Sequence, residues 1–527
     1  MLNAEKPRSI IINGLLIAAL LFITSLLYGR LVTVNIMEAR NFITAREMVR
    51  EGNWLLPTLN GEPRIAKPPL PSWVTALFMR QAGTDADLMI NRIPSGISAL
   101  LLAFFACLLV RRITGDGEIT ILFLLVLATS FMFMLSARKN AWDIYSISFM
   151  TGTTWALTEV FDRKRRRARF LVLAAFFMTC AFYSKGPVPF WVMLGPFLAA
   201  YVIVFGAQDL RENTWGLVWT FFCCILLSAA WPLYVYLNLP HTAAAVASGE
   251  SQGWFTKHTQ PVWYYLLHFQ DIVGVWIFYL LYGLVTPFIK RDWTPREKFF
   301  VVWFILTIVA VSIFPEKKAR YLLPAVVPGA MVAAVAVRRL WENAGLAAKI
   351  VNGAFCLTMG LIFLTAAGGL AYLSSDGINP ALLAGIPLLL GACALLAGAY
   401  AKKQFNRLPF IAVTGLCLCL VFLPPAVSVQ FGHDQTAPFM HLRDTAAYQT
   451  TDFYSMGRIP PEVIWASGRI IRPLTDQSPQ DLMDKGEPFI LMSEGALEVP
   501  STDLHLLETV QTDKRTFYLY RFNPDIS

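Results

Sequence analysis

Long uncharged runs of apolar residues, separated by short basic or acidic clusters, recur along most of this chain. Residues 10–29, 93–110, 215–237, 350–373 and 408–430 contain no charged side chain. Each run, as a helix, is long enough to cross a hydrocarbon core of about 30 Å. Taken in order, the apolar runs predict about thirteen spans: 10–29, 92–110, 119–137, 143–160, 168–184, 187–206, 214–237, 262–288, 299–314, 321–337, 350–373, 379–400 and 408–428. Past residue 430 the pattern changes. FILMSEG (489–495) and TFYLYRF (516–522) alternate like strands, and Pro460, Pro461 and Pro473 punctuate polar sequence around them. The expected fold class is therefore an all-α polytopic membrane domain over 1–429, with a small C-terminal α/β domain over 430–527 on the extracytoplasmic side.

Composition agrees: 56% of the 527 residues are hydrophobic and 15% charged, against about 25% charged in a soluble domain. Lys6 and Arg8 precede the first apolar run as they do in a secretion signal, but the run is long and no small-residue cleavage motif closes it, so it is read as a retained span. All eight cysteines lie in apolar runs, which argues against a disulfide-stapled exterior and against a CxxC metal site. Strong cationic clusters (Arg111-Arg112, Arg163 to Arg169, Lys290-Arg291, Arg338-Arg339, Lys402-Lys403) fall in alternate connections and share a side with Lys6 and Arg8. Basic short loops stay cytoplasmic, which predicts a cytoplasmic N-terminus and an extracytoplasmic C-terminus. The net charge of +9 then belongs to these loops and to a site that handles phosphate; no nucleic-acid partner is expected.

Three connections face outward in that topology. The first, 30–91, carries Glu38, Arg40, Arg46, Glu47, Arg50, Glu51, Glu62, Arg64 and Lys67. Within it Phe42, Ala45, Met48 and Val49 make one apolar helix face, expected to lie in the membrane interface, with Gly52 ending the helix and Trp73 at the headgroup level. The second is 238–261. The third, Pro315 to Arg320, is basic although it faces outward, and Lys317, Lys318 and Arg320 there suit either a weak topological signal or a cationic site for an anionic ligand. Asp143 lies at the outer mouth of a span, as a partner of Arg138 or Lys139 or as a second acid beside Glu38. Lys185, before Gly186 and Pro187, is either a snorkelling lysine or a phosphate-reading ammonium. His258 stands alone as a possible metal ligand, with no HxxH or HxxE partner nearby.

MEAR (37–40), AREM (45–48), GNWLLP (52–57) and AKPPLPSW (66–73) resemble, in order, the first loop of the bacterial aminoarabinose (4-amino-4-deoxy-L-arabinose) lipid A transferases. These belong with the protein O-mannosyltransferases among the GT-C membrane glycosyltransferases. SKGP (184–187), HTQPVWYY (258–265), KARYLLPAVVP (318–328) and FYSMGRIPPEVIWASGR (453–469) extend the likeness to the tail. The resemblance implies an inverting hexosyl or pentosyl transferase of the bacterial inner membrane. It would take a sugar from a polyprenyl-phosphate carrier and give it to lipid A phosphate, a glycan or a protein. Carried over by motif, Arg40, Lys67, Lys185, Lys317 and Tyr321 would hold the donor phosphate; Glu38 and Asp143, placed near the sugar by position, are the candidate catalytic carboxylates. Two positions depart from the pattern. Met37 replaces the first acid of DExR, and Ala66 replaces an acid that, with the loop histidine, can bind zinc in that family, so His258 lacks that partner for a divalent metal and no other cofactor is expected. A flippase for a lipid-linked glycan and a catalytically silent family member are the competing expectations.

Overall fold

The computed structural model describes residues 17, 19–161, 167–256, 258–289, 293–343, 345–373, 380–431, 436–445, 448, 451–474, 478–497, 504–512 and 515–524. The protein divides into two compact units. One comprises Met1–Gly29, Ala66–Leu70 and Arg92–Gln430; the other comprises Arg30–Ile65, Pro71–Asn91 and Phe431–Ser527.

The first unit is helical. Among the described residues, eight helices are long and apolar enough to cross a membrane: Leu88–Thr114, Arg167–Lys185, Thr214–Asn238, Phe269–Ile289, Ala319–Glu342, Leu346–Leu373, Ala381–Ala401 and Phe405–Ser428. A ninth candidate is the pair Gly117–Ala128 and Phe131–Ala137, bent by 62°. The expected thirteen is not reached by this criterion. Trp142–Val160 is long enough, yet Asp143, Glu159 and a run of Ser and Thr dilute its hydropathy; Pro295–Ser312 begins with three charges; Phe190–Phe205 is short. Of the first expected span, 10–29, residues 10–16 and 18 lie outside the described residues. Ala319–Glu342 is the most enclosed helix, with 89% of its apolar window buried, and so forms the centre of the bundle. The packing is close where small residues allow it. A Cβ on Gly152 would meet Phe177 at 3.0 Å and Phe105 at 3.1 Å, so this glycine sets how near Trp142–Val160 comes to Arg167–Lys185.

The second unit holds a five-stranded mixed sheet in the order Ile471–Pro473, Asp452–Met456, Phe489–Ser493, Thr516–Phe522, Leu504–Gln511. The first three strands run parallel and the last two pairings are antiparallel. Both strands read from alternation, Phe489–Ser493 and Thr516–Phe522, are present and pair with each other.

The helix Ile36–Glu51 belongs to this unit, and it is not the one-faced helix that its spacing suggested. Phe42, Ala45 and Met48 are fully buried, in one core with Trp465, Phe453 and Ile490, and its polar side is buried too. Arg46, 1% exposed, donates to the carbonyls of Ile464, Trp465 and Arg469. Glu47 accepts from Thr58 Oγ1 and from the backbone N–H of Asn60, closing the turn between Thr58–Leu59 and Glu62–Pro63. Asn60 in turn exchanges two hydrogen bonds with the backbone of Ile471. The helix's apolar face therefore meets the core of the C-terminal residues; the division of the chain falls at Gln430/Phe431, beside the boundary drawn at 429/430 from composition, but also joins most of the first loop to the tail. Gly52 does end the helix, in the left-handed conformation (φ 75°), which glycine adopts without a Cβ clash.

Candidate functional site

Two helix ends place the central charge pair of the first unit. Asp143 occupies the first turn of Trp142–Val160, and Lys185 is the last residue of Arg167–Lys185. The second helix stops there because Gly186 turns left-handed (φ 69°) and returns its N–H to Phe182 O at 2.7 Å. The two helices pack antiparallel, so a carboxylate at one N-terminus meets an ammonium at the other's C-terminus, as each helix dipole favours. Lys185 Nζ is ion-paired with Asp143 Oδ1, and Asp143 is only 8% exposed. Arg138, one of the partners expected for Asp143, instead donates to the carbonyls of Thr24 and Ile23.

The 3-10 turn Ala319–Ala325 completes the cluster. Arg320 Nε lies 4.0 Å from Asp143 Oδ2 and is buried without a hydrogen-bond partner. The Tyr321 ring has Lys185 Nζ 4.8 Å from its centroid and the Arg320 guanidinium carbon at 5.7 Å, distances at which a cation is attracted to the ring face. The Tyr321 hydroxyl donates to Glu316 Oε1 (3.2 Å), which also accepts from Lys318 Nζ (2.8 Å). Burial alone would raise the Glu316 carboxyl, but these two donors outweigh it and hold it below its ordinary value. Lys67 lies close enough to act electrostatically on both Asp143 and Lys185. Glu316 and Lys318 cancel. Three cations, Lys67, Lys185 and Arg320, thus act on one buried carboxylate. Buried charge is costly unless paired, and a cluster of cations at one acid suits an anionic ligand.

Asp143, Lys185, Tyr321 and Lys67 are thus brought together. Arg320 and Glu316 join them although motif transfer did not select either; the outward-facing basic run was the signal that pointed to Arg320. Lys317 is placed differently. Only 4% exposed, it donates through Nζ to the carbonyls of Phe314 (2.7 Å) and Gln260 (3.3 Å). Its backbone N–H reaches His258 O at 3.3 Å, and Gln260 N–H reaches Pro315 O at 3.0 Å. Lys317 therefore clips the 258–261 loop to the 314–317 loop, with its ammonium already committed to backbone oxygens.

Glu38 and Arg40 belong to the second unit. Glu38 is fully buried and forms a capping box with Asn35, whose Nδ2 donates to Glu38 Oε2 at 2.7 Å while its own Oδ1 accepts from the Glu38 and Met37 N–H groups. The carboxylate expected to act in catalysis has a structural task here. Arg40 is half-buried on the same helix. His258 is exposed and in a left-handed conformation (φ 50°). Among the described residues no group of three His, Cys, Asp or Glu side chains is arranged to hold a metal ion, and Ala66 offers no ligand, so the residues present do not fit the zinc site of the resembled family.

Residues 66–236 match the dolichyl-phosphate-mannose-protein mannosyltransferase family. The chain is 25% identical over 435 residues, 79% of its length and 76% of the relative's, to the undecaprenyl phosphate-alpha-4-amino-4-deoxy-L-arabinose arabinosyl transferase of Shewanella sediminis. An uncharacterised Aquifex aeolicus protein is 28% identical over 291 residues, about half of either chain (54% and 55%). The fold is that of the Cupriavidus metallidurans aminoarabinose transferase crystallised with undecaprenyl phosphate: TM-score 0.76 over 97% of this chain and 98% of that one, at 16% identity. An Archaeoglobus fulgidus oligosaccharyltransferase is more distant, with a TM-score of 0.51 over 89% of this chain and 65% of that one at 10% identity. The family match spans Lys67, Asp143 and Lys185 but ends before the turn that carries Arg320 and Tyr321.

Proposed function

We propose that this multi-pass membrane protein is an inverting glycosyltransferase. It moves a sugar from a polyprenyl-phosphate carrier to an acceptor on the outer face of the cytoplasmic membrane, with its N-terminus in the cytoplasm. The observation that carries the reading is the cluster of cations around Asp143, set at helix ends within a GT-C fold. Lys67, Lys185 and Arg320 hold the donor phosphate by charge-assisted hydrogen bonds, and the Tyr321 ring fixes the direction of Lys185. As the glycosidic C–O bond breaks, the phosphate diester with one negative charge becomes a monoester with two. Preorganised cations stabilise that growing charge more than they stabilise the ground state. Asp143 lies on the sugar side, where it orients an acceptor or takes the proton of a hydroxyl acceptor. An acceptor phosphate is already an anion and needs no base.

A flippase is disfavoured by the same geometry, because transporters set their binding groups near the bilayer midplane on broken helices, whereas these charges sit at helix ends. Lys67→Ala in purified, reconstituted protein tests the reading. Transfer from a polyprenyl-phosphate sugar should be lost while thermal unfolding stays that of the wild type; wild-type transfer in this variant would sink the site assignment. Mass spectrometry of lipid A, surface glycans and envelope proteins, with and without the chain, identifies the acceptor.

A further inference from the structure

The ligand that the cations are built for meets a competitor already in place. Asp143 is an anion at the centre of the cluster, its Oδ1 on Lys185 and its Oδ2 facing Arg320. We propose that the Asp143 carboxylate is a resident stand-in for the donor phosphate: it occupies Lys185 and Arg320 in the ligand-free protein, yields them when phosphate binds, and takes them back to expel the polyprenyl phosphate after transfer. The inference rests on the proposed function and assigns to Asp143 a role beyond it.

Three observations support the exchange. Arg320 is not saturated: its Nε is buried and makes no hydrogen bond, and it stands 4.0 Å from the carboxylate, outside hydrogen-bond range. A guanidinium so placed gains a partner by turning to a phosphate oxygen. Next, Arg320 belongs to the short 3-10 turn Ala319–Ala325, while its side chain is about one-third exposed, so it has room to turn without moving the buried helix that follows. Finally, a site in which Lys185 and Arg320 both meet the ligand binds a dianionic product more tightly than a monoanionic donor, and such a site is slow to empty. A carboxylate that competes for the same cations lowers product affinity without lowering the cations' number. Arg320 thereby acts on the phosphate itself, and Asp143 acts as a positioning residue through the cations that it holds.

The test is binding of undecaprenyl phosphate to the full-length protein in nanodiscs, with transfer measured in parallel. Asp143→Asn removes the competitor and keeps the shape. It should bind undecaprenyl phosphate roughly tenfold more tightly than the wild type, the ratio expected if one ion pair no longer has to be broken, while turnover falls and product inhibition strengthens. Arg320→Gln should weaken binding about tenfold, and Arg320→Lys should restore part of it. In an Arg320→Gln background the gain from Asp143→Asn should shrink, because the two act on one exchange. Equal or weaker binding by folded Asp143→Asn overturns the proposal. If that variant does not fold, Arg320→Gln decides: an unchanged inhibition constant for undecaprenyl phosphate overturns it. A wild-type protein that neither binds undecaprenyl phosphate nor transfers sugar refutes the proposed function instead. Binding and transfer by the wild type without tighter binding by Asp143→Asn refute this inference alone.

Discussion

Lys185 and Asp143 are ion-paired across the ends of two antiparallel helices, 42 positions apart in the chain. Replacing Lys185 by Met leaves a buried carboxylate facing Arg320 across 4.0 Å. Breaking a buried pair from one side costs about 3–5 kcal/mol. The variant should therefore melt at a lower temperature and lose transfer by a factor on the order of 100. Adding Asp143→Asn should recover much of the stability and none of the activity. Thermal unfolding and turnover across this double-mutant cycle separate the two effects; full additivity in stability would show that the pair is not coupled.

In the second unit, Asp85 holds three arginines: Arg443 at 3.0 Å, Arg50 at 3.1 Å and Arg46 at 3.9 Å. Burial alone would raise its carboxyl, but these guanidinium groups outweigh burial and hold it below its ordinary value of 3.8. The Arg46 guanidinium is pushed down to about 9 by its burial, against the pull of Asp85. A lowered carboxyl stabilises the folded state at every pH above its unfolded value, and that contribution is lost as pH falls through the folded value. Asp85→Asn should thus destabilise the protein at pH 7 by about 3–5 kcal/mol. The gap to the wild type should begin to close near pH 4 and narrow further in stronger acid. Melting temperatures across pH 3 to 8 check this, and a gap that persists undiminished at the acid end would contradict it.

Met37 stands where the resembled pattern has an acid, in the first turn of Ile36–Glu51, with its N–H capped by Asn35 Oδ1. A carboxylate there suits the helix dipole, so Met37→Asp should be neutral or stabilise by about 0.3–1 kcal/mol. Transfer should stay at the wild-type level, because the carboxylate that matters in the proposed mechanism is Asp143. A large gain of transfer in Met37→Asp would show instead that the natural protein lacks a working acid.

Much of this site was legible because motif and local chemistry agree. SKGP reads as a helix end with a cation, and the Gly186 turn delivers it. KARY places an aromatic and two cations within four residues, and the turn sets Lys318 and Tyr321 on Glu316 and Arg320 toward Asp143. What spacing did not reveal was which cations are spent. Lys317 and Arg320 are three apart in one basic run, yet Lys317 turns back onto two carbonyl groups while Arg320 faces Asp143. That choice depends on where the 258–261 loop returns, a contact more than fifty residues away in sequence.

The same distinction runs through the whole protein. Hydrophobic run length alone determined a multi-pass helical membrane protein, since uncharged stretches of that length have few stable soluble alternatives, and alternation determined the strands Phe489–Ser493 and Thr516–Phe522. Tertiary structure decided the fate of Ile36–Glu51. Its apolar spacing fits a membrane surface and a protein core equally well, because both are simply low-polarity neighbours. Buried partners for Arg46 and Glu47, supplied by residues 464–469 and by the turn at Asn60, settle it in favour of the core: a helix polar on one side needs hydrogen-bonding groups there, and a chain read one segment at a time does not show which distant segment provides them.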